Sequence, residues 1–390
     1  MLGKASEMAL QFYGLILAVA LVRGVAASSE VGAGVSGHGQ TAPRYARVFS
    51  FGDSLTDTGN ALHVAAGPAS RPPYGETFFR RPTGRASDGR LVIDFIVEAL
   101  GVPEPTPYLS GKTAADFRSG VNFAVGGATA LDLEFFASRG LKTFVPVSLW
   151  NQTSWFSDVL HHLGSVEEQR KAVASSLFIV GEIGINDYLV ALSGNRTVAE
   201  IENAFVPRVV RAIRSVLTDV IAAGARSVMV PGMIPLGCEP QLLAQYQGAE
   251  RHDPESAGCI ARLNDLAELH NRALNRMLIG LRRAHPGTAI VYADLYRAVT
   301  DLVVSPRKYG FKDMPLAACC GGGSGPYNFD AAAFCGSPGT AACADPSEFV
   351  SWDGVHFTEA ANRRVACALL DQSDGAQGIK LMGHYGARAP

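Results

Sequence analysis

Residues 46–51 read Ala-Arg-Val-Phe-Ser-Phe and run directly into Gly52-Asp53-Ser54, so an apolar segment ends in a turn that carries a serine. A short apolar run bounded by glycine and aspartate is typical of a strand buried on both faces of a parallel sheet. Similar runs follow at residues 121–125, 177–180, 227–230 and 289–292. We therefore expect a central parallel sheet of about five strands.

Amphipathic helical patterns lie between these runs. One apolar stripe extends from Ile201 to Val220 and is closed by Gly224, which is typical of the residue after a helix end. A second stripe extends from Ile260 to Leu281. Alternating strands and helices predict right-handed crossovers and a doubly wound α/β sandwich. Such sheets bind ligands at the carboxyl ends of their strands, so the segment after each run is a candidate site.

The overall composition is that of a globular protein with a large core. The chain has 390 residues, of which 47% are apolar and 18% are charged, and this excludes a disordered or fibrous chain. The formal net charge of −2 argues against a protein that binds nucleic acid or an anionic membrane. We expect a monomer with no nucleic-acid partner.

The N-terminus has the pattern of a secretory signal peptide over residues 1–27. Lys4 precedes an apolar run at residues 12–22, and Val25, Ala26 and Ala27 supply small residues for cleavage. The run is too short to span a bilayer, and no other stretch reaches the ~18 apolar residues that a span needs. We expect a disordered lead-in over residues 28–44, a folded domain over residues 45–372 and a flexible tail over residues 373–390. The mature protein is expected to be secreted without stable membrane insertion.

The cysteines and two glycosylation sequons agree with an oxidising compartment. The seven cysteines are Cys238, Cys259, Cys319, Cys320, Cys335, Cys343 and Cys367. We expect Cys238 to pair with Cys259, further bridges of open connectivity among the four cysteines from 319 to 343, and a buried free thiol at Cys367. Asn151 and Asn195 begin the sequons. No CxxC pair is present, so a structural zinc is not expected.

Ser54 and a distant aspartate–histidine pair form a candidate catalytic set. A serine hydroxyl is a poor nucleophile without a base. Asp353 and His356 stand three positions apart around Gly354, so one short loop can present a carboxylate and an imidazole together. A helical pattern begins at Thr358, and a helix N-terminus opposes imidazolium formation while Asp353 favours it. This pattern predicts Ser54 as nucleophile, His356 as base and Asp353 as the group that orients it.

Three hydrogen-bond donors are expected near the serine. Asn186 follows the third apolar run and Gly126-Gly127 follows the second, at the same edge of the sheet as Ser54. The Asn186 amide, a glycine N–H and the Ser54 N–H can therefore converge on an oxyanion. Taken alone, each of these motifs is more typical of a turn or a helix cap. Their joint occurrence after strand ends favours catalysis.

Four sequence blocks carry a resemblance to a known family: FGDSLTDTGN at 51–60, VNFAVGGATAL at 121–131, GEIGINDY at 181–188 and SWDGVHFTEAA at 351–361. PLGC at 235–238 and ACCGGGSGPYNF at 318–329 extend it. Over residues 45–371 the chain resembles the plant secreted GDSL esterase/lipases, a branch of the SGNH hydrolases. The resemblance implies a flavodoxin-like three-layer fold. It also implies a catalytic triad of Ser54, Asp353 and His356 and an oxyanion hole of Ser54, Gly127 and Asn186, with Gly126 as the alternative glycine.

The expected activity is hydrolysis of a carboxylic ester through an acyl-enzyme, with no metal or organic cofactor. The family includes lipid esterases, phenolic choline-ester hydrolases, wall-polysaccharide deacetylases and acyltransferases. No apolar lid helix is evident, and this favours short acyl groups. We hypothesise removal of acetyl or other short acyl groups from xylan-type polysaccharide outside the cell or in the wall, with the Golgi as an alternative location. A lipase, a phenolic-ester esterase, an acyltransferase and a non-catalytic secreted binding protein stay open.

Overall fold

The computed structural model describes residues 45–65, 67–248 and 252–373. The predicted signal peptide (1–27) and lead-in (28–44) lie outside the described residues. The predicted tail (373–390) also lies outside them, apart from Ser373. The division of the chain into one folded domain with these flanking segments therefore stays a prediction.

A six-stranded parallel sheet forms the centre of the fold, in the order β2-β3-β1-β4-β5-β8. The strands are β1 (Arg47–Phe51), β2 (Thr106–Pro107), β3 (Gly120–Asn122), β4 (Ser176–Val180), β5 (Ser227–Pro231), β6 (His252–Asp253), β7 (Cys259–Ile260), β8 (Ala289–Ala293), β9 (Cys320–Gly321) and β10 (Ala341–Ala342). The five predicted runs correspond to β1, β3, β4, β5 and β8, which confirms the parallel α/β fold. Edge strand β2 was not predicted, because two residues that include a proline carry no apolar pattern.

The helices are α1 (Ala61–Val64), α2 (Val92–Leu100), α3 (Leu133–Ala137), α4 (Leu149–His162), α5 (Val166–Ala174), α6 (Ile185–Ser193), α7 (Val198–Glu200), α8 (Val206–Ala222), α9 (Pro240–Gln245), α10 (Ala261–Ala284), α11 (Leu295–Val304) and α12 (Glu359–Ser373). A π-helical turn (Ile201–Phe205) joins α7 to α8. Short 3₁₀ turns occur at Pro68–Ser70, Tyr108–Ser110, Leu236–Cys238, Pro254–Ser256, Pro306–Tyr309 and Pro346–Glu348. Both predicted helical stripes are present, and Gly224 has a φ of +113° after α8.

The helices cover both faces of the sheet. Phe178 of β4 packs against Phe156 of α4, with ring centroids 5.8 Å apart. Its neighbour Ile179 lines a small internal cavity with Ile96 of α2 and Leu369 of α12. Successive side chains of a strand point to opposite faces, so α4 lies on one face and α2 and α12 on the other. Helices α8 and α10 pack together on the α4 side, and α11 packs with α12.

The strand order places the loop after β1 at the centre of the sheet edge that the carboxyl ends of the strands form. Strand β1 pairs with β3 on one side and with β4 on the other. The chain therefore reverses its direction of progress across the sheet at β1, which is the switch point where open α/β sheets bind ligands. The segments that follow β1, β3 and β4 meet at this point, and they carry Ser54, Gly126-Gly127 and Asn186.

Three disulfides join six of the seven cysteines. Cys238 bonds to Cys259, as predicted, while Cys319 bonds to Cys343 and Cys320 to Cys335. The last two bridges tether the glycine-rich segment that follows β9. Cys367 is free, but it is half-buried rather than fully buried, and burial raises the pKa of its thiol.

Among the described residues, no helix combines the length and the apolar character needed to cross a membrane.

Candidate active site

Hydrogen bonds from distant segments hold the loop that carries Ser54. The side-chain amide of Gln152 in α4 accepts from Gly52 N at 2.9 Å and donates to Gly52 O at 2.8 Å. The Asp57 carboxylate accepts four backbone N–H bonds, from Gly59, Asn60, Ala61 and Gly126, at 2.6–2.8 Å. Asp53 accepts from Leu55 N at 3.2 Å. Asp53 and Asp57 therefore hold this loop by hydrogen bonds.

The structure brings the three predicted catalytic residues into one hydrogen-bonded line. His356 Nε2 lies 2.8 Å from Ser54 Oγ, and His356 Nδ1 lies 2.7 Å from Asp353 Oδ2. The other carboxylate oxygen, Asp353 Oδ1, accepts from Val355 N at 2.9 Å and from His356 N at 2.8 Å. Gly354 has a φ of +95°, a conformation that favours glycine and turns the loop back on itself. The arrangement can pass a proton from the hydroxyl to the imidazole.

Thr358 directly precedes α12 and caps it. Its Oγ1 accepts from Ala361 N at 3.1 Å, which satisfies a donor of the first turn of α12. His356 therefore lies just before a helix N-terminus.

The charges around His356 favour its protonated form. Burial by itself lowers the pKa of His356, but attraction to Asp353, Asp53 and Glu239 outweighs burial, so the pKa is raised. Burial would likewise raise the pKa of Asp353. Hydrogen bonds and the charge of His356 outweigh that effect, and the pKa of Asp353 is lowered. The attraction of Asp353 therefore has a larger effect on the pKa of His356 than the nearby helix N-terminus has.

Tyr74 is a site residue that the sequence did not reveal. Its hydroxyl donates to Asp353 Oδ2 at 2.7 Å, and its ring packs edge-on against Trp352. Tyr74 is 1% exposed. It comes from a loop that follows Pro72-Pro73, 279 positions before Asp353, where no pattern indicates a link to the site.

Only one glycine of the Gly126-Gly127 pair keeps its N–H free. Gly126 N donates to Asp57 Oδ2 at 2.8 Å. In the part of the chain that the structure describes, Gly127 N and Ser54 N have no acceptor. Gly127 has a φ of +83°, which orients its peptide differently from that of Gly126. Between the two glycines, Gly127 can donate to a substrate oxygen.

Asn186 lies between the serine loop and the glycine loop, in the first turn of α6. Its Nδ2 donates to Ala128 O at 3.0 Å and to Asp53 Oδ2 at 3.3 Å. Both hydrogens of the amide therefore point to protein acceptors, unlike the N–H of Ser54. The bond to Ala128 fixes the side chain next to the residue that follows Gly127.

Buried acids surround the site, and no sequence pattern indicated them. Asp53, Glu182, Asp187 and Glu239 are each at most 6% exposed. Burial is the largest cause of their raised pKa values, which reach about 7 for Asp53 and Asp187 and about 8 for Glu239. The pKa of Glu182 is raised well above its ordinary value, first by burial and then by Asp53 and Glu239. No group of three or more His, Cys, Asp or Glu among the described residues could hold a metal ion.

A cleft of about 710 Å³ lies against the loops that carry Gly127 and Gly354. Its wall includes Phe144, Gln241, Gln245, Tyr327, Phe329 and Phe334. Phe329 packs against Gly354, and Phe144 lies on Gly127, so the wall touches both the histidine loop and the glycine loop. Of the described residues that line it, none is a lysine or an arginine. The cleft thus presents aromatic rings and amide groups beside the histidine loop and the glycine loop.

The two sequon asparagines differ in their surroundings. Asn151 is half-buried in the first turn of α4, where its Oδ1 accepts from Ser148 N at 2.9 Å. Asn195 is exposed just after α6 and has a φ of +57°. Glycosylation at either residue stays a prediction.

The fold and the site together define a class of protein. A parallel α/β sheet holds Ser54, His356 and Asp353 in one hydrogen-bonded line at its carboxyl edge, with free backbone N–H groups beside the serine. No G-x-S-x-G elbow surrounds Ser54, so the nucleophile turn differs from that of the larger α/β-hydrolases. The architecture is that of the SGNH hydrolases.

Comparison with known proteins gives the family. Residues 48–369 match the family of GDSL-like lipases/acylhydrolases, and the chain belongs to this family. A GDSL esterase/lipase of Arabidopsis thaliana is 44% identical over 337 residues, which cover 84% of this chain and 85% of the relative. A second GDSL esterase/lipase of Arabidopsis thaliana is 46% identical over 331 residues, which cover 83% of this chain and 81% of the relative. A sinapine esterase of Brassica napus is 43% identical over 336 residues, 84% of each chain. The protein is therefore a carboxylic ester hydrolase.

Proposed function

We propose that Ser54 is the nucleophile of this ester hydrolase, with His356 as general base and Asp353 as the group that orients the imidazole. The continuous line of hydrogen bonds, 2.8 Å from Ser54 Oγ to His356 Nε2 and 2.7 Å from Nδ1 to Asp353, carries this proposal. A serine in such contact with an imidazole is activated for attack on an acyl carbon.

The reaction then proceeds in two halves. Ser54 Oγ attacks the ester carbonyl while its proton moves to His356 Nε2, and the negative oxygen accepts from the N–H groups of Ser54 and Gly127. The leaving alcohol takes the proton from His356, which leaves an acyl group on Ser54. Water attacks this acyl-enzyme with His356 again as base, and the carboxylic acid and the free serine are formed.

The Asn186 amide is the third proposed donor to the oxyanion. Its bond to Ala128 O at 3.0 Å orients the side chain, while its bond to Asp53 Oδ2 is longer, at 3.3 Å. We propose that a substrate oxygen replaces Asp53 as the acceptor, because catalytic hydrogen bonds often become well aligned only when substrate is bound.

The proposed substrates are acetyl or other short acyl esters of a xylan-type wall polysaccharide. The aromatic rings and amides of the cleft support this proposal: rings such as Phe329 offer apolar faces, and amides such as Gln241 and Gln245 can bind hydroxyl groups. The wall carries the acidic Asp330 and, among the described residues, no lysine or arginine, so it disfavours a negatively charged substrate. A second candidate is a phenolic ester, which the name of the sinapine esterase relative favours.

We also propose that the protein acts outside the cell or in the wall. Residues 1–27 would direct it into the secretory pathway as a signal peptide. The three disulfides support an oxidising compartment, because such bonds are rare in the cytosol. In that pathway the sequons at Asn151 and Asn195 would be glycosylated.

Acyl release by the purified mature protein tests these proposals. The substrates are acetylated xylan, a sinapine sample and a series of esters with acyl chains from two to sixteen carbons, and the S54A variant is assayed beside the wild type. We expect acetate from xylan with the wild type only.

Each outcome changes a different part of the proposal. A clear preference for long acyl chains would keep the serine mechanism and replace the polysaccharide by a lipid. Preference for sinapine would select the second candidate. Activity in S54A equal to that of the wild type would remove Ser54 as the nucleophile.

A further inference from the structure

Glu239 is a buried carboxyl group beside His356 that the proposed triad does not use. It is 4% exposed and directly follows the disulfide-bonded Cys238. Its Oε2 accepts from Gln241 Nε2 at 2.6 Å, while its Oε1 is buried without a hydrogen-bond partner among the described residues. Leaving a buried polar atom unpaired is destabilising, so an apolar side chain would serve a purely structural role at this position better.

Gln241 ties this carboxyl group to the catalytic loop. The side-chain amide of Gln241 donates to Glu239, and its backbone N–H donates to Gly354 O at 3.0 Å. Gly354 lies between Asp353 and His356. Two bonds from one residue therefore fix Glu239 relative to the imidazole.

Several charged groups face His356 and Glu239 from different loops. Asp353 is hydrogen-bonded to His356, while Asp53, which follows β1, and Glu239, which precedes α9, act on the imidazole by charge. Glu182, which follows β4, faces Asp53 and Glu239. Glu182 is also buried, has a φ of +58°, and its Oε2 has no partner within the described chain. The His356 imidazole thus lies beside a cluster of buried acidic side chains.

We propose that Glu239 is a positioning residue for His356, whose ionised carboxylate stabilises the imidazolium that forms when Ser54 gives up its proton. This inference rests on the proposed function of Ser54 and His356. In the attack step the Ser54 proton moves to His356 Nε2, and the ring gains one positive charge. Asp353 compensates this charge directly, and an ionised Glu239 adds a second negative charge nearby.

The effect depends on pH, because only the ionised carboxyl group carries the charge. Burial raises the pKa of Glu239 to about 8, whereas the hydrogen bond from Gln241 and the charge of His356 lower it. Near neutral pH the carboxyl group is therefore largely protonated, and its charge appears as the pH rises through about 8. The interacting imidazole and carboxyl group lose their protons in two macroscopic steps. Wild-type kcat is expected to rise in two steps accordingly.

The first variant is E239Q, which keeps the size of the side chain and removes the charge. We expect its kcat–pH profile to lose the second step, with an alkaline plateau about tenfold below that of the wild type. The matched control is E167Q, at an exposed position of α5, and it should keep both steps. The melting temperature of each variant shows whether folding is affected.

The second variant, Q241M, keeps the carboxyl group and removes its donor. Loss of the Gln241 hydrogen bond should raise the pKa of Glu239, so the second step should move to higher pH. The backbone bond from position 241 to Gly354 remains, and KM is expected to change because Gln241 also lines the cleft.

A measurement that needs no catalytic activity separates this inference from the proposed function. In the inactive S54A background, the NMR titration of the His356 ring should show a second inflection near pH 8 with Glu239 present, and E239Q should lack that inflection. An unchanged His356 titration, or an E239Q profile that keeps both steps, would overturn the role of Glu239. An S54A variant as active as the wild type would instead overturn the proposed function, whatever the state of Glu239.

Discussion

The Tyr74 hydroxyl and His356 Nδ1 share one oxygen of Asp353, each at 2.7 Å. The tyrosine donates to the same Oδ2 that contacts the His356 imidazole, so it competes with the histidine for the negative charge of Asp353. The other oxygen accepts two backbone N–H bonds of its own loop, from Val355 and His356. Asp353 is thus held from three directions, and its carboxylate has little freedom to rotate.

Replacing Tyr74 by Phe should shift the pH dependence of the reaction. Without the hydroxyl, Asp353 attracts the imidazolium more strongly, so the pKa of His356 should rise. The acid limb of kcat/KM is expected to move to higher pH by a fraction of a unit, and kcat at neutral pH to fall by less than about tenfold. The lost bond to a buried charge should also lower the free energy of unfolding by about 1.5–3 kcal/mol. Steady-state kinetics from pH 5 to 9 and denaturant unfolding measure both effects.

Tyr108→Phe is the matched control for this experiment. Tyr108 also donates to an aspartate, Asp158, but at 3.4 Å and in an exposed contact. Its removal should leave the acid limb in place. If Y74F and Y108F have the same acid limb as the wild type, Tyr74 only packs against Trp352 and has no influence on His356.

Replacing Asn186 by Ala tests the third proposed donor to the oxyanion. We expect kcat to fall by about 10²–10³ with a small change in KM, because such a donor acts mainly on the transition state. Asn203→Ala is the control, since Asn203 donates to the backbone oxygen of Ala199 at an exposed position. A kcat in N186A within threefold of the wild type would mean that the amide keeps its bonds to Ala128 and Asp53 throughout the reaction.

Local sequence patterns were sufficient for the main strands and for the residues that follow them. Strand β1 is a continuous apolar run that ends at Phe51, and Ser54 follows it at the edge where the site lies. Asp353 and His356 are close in sequence, so one turn already brings them together. These features depend on neighbours within a few residues, and this is why a pattern can predict them.

Long-range contacts were not predictable in the same way. Tyr74 and Glu239 reach the site from segments whose own sequence says nothing about Asp353 or His356. The choice between Gly126 and Gly127 depended on which N–H Asp57 accepts, and that follows from the tertiary fold. The pairing of the four cysteines after residue 318 likewise depends on how the glycine-rich segment folds back.

Removing the Cys320–Cys335 bridge should destabilise the wall of the cleft. The bridge closes a segment of 15 residues that contains Phe329 and Phe334, and both rings line the cleft. Restricting a loop of this size is worth about 3 kcal/mol of unfolding free energy. The Cys320→Ala/Cys335→Ala double variant should therefore lose about 3 kcal/mol in denaturant unfolding, and its KM should rise.

Cys367→Ala is the control for this pair, because Cys367 is the free cysteine. This substitution removes a thiol without opening a loop. It should lower the free energy of unfolding by less than about 1 kcal/mol, as expected for a half-buried small side chain. Equal stability of the double variant and the control would show that the segment is held by its other contacts.

The stability of the protein should decrease as the pH rises from about 5 to 8. Burial raises the pKa of Asp57 to about 6 and those of Asp53 and Asp187 to about 7. Each carboxyl group therefore holds a proton in the folded state at pH values where the unfolded chain has already released it. The folded state binds more protons in this window, so the free energy of unfolding falls with rising pH. The raised pKa of His356 acts in the same direction.

The pH slope of stability in Asp187→Asn tests this account. The amide cannot titrate. The free energy of unfolding of the variant should therefore fall less steeply with rising pH, by at most about 1.4 kcal/mol per pH unit, which is the contribution of one proton. Its absolute stability should also be lower, because Asp187 accepts N–H bonds from both Ala130 and Leu131 and an amide oxygen replaces only one acceptor. Denaturant unfolding at pH 5, 6, 7 and 8 measures the slopes, with the exposed Asp301→Asn as control. A wild-type stability that is constant or rises over this range would show that the buried carboxyl groups are already ionised at pH 5.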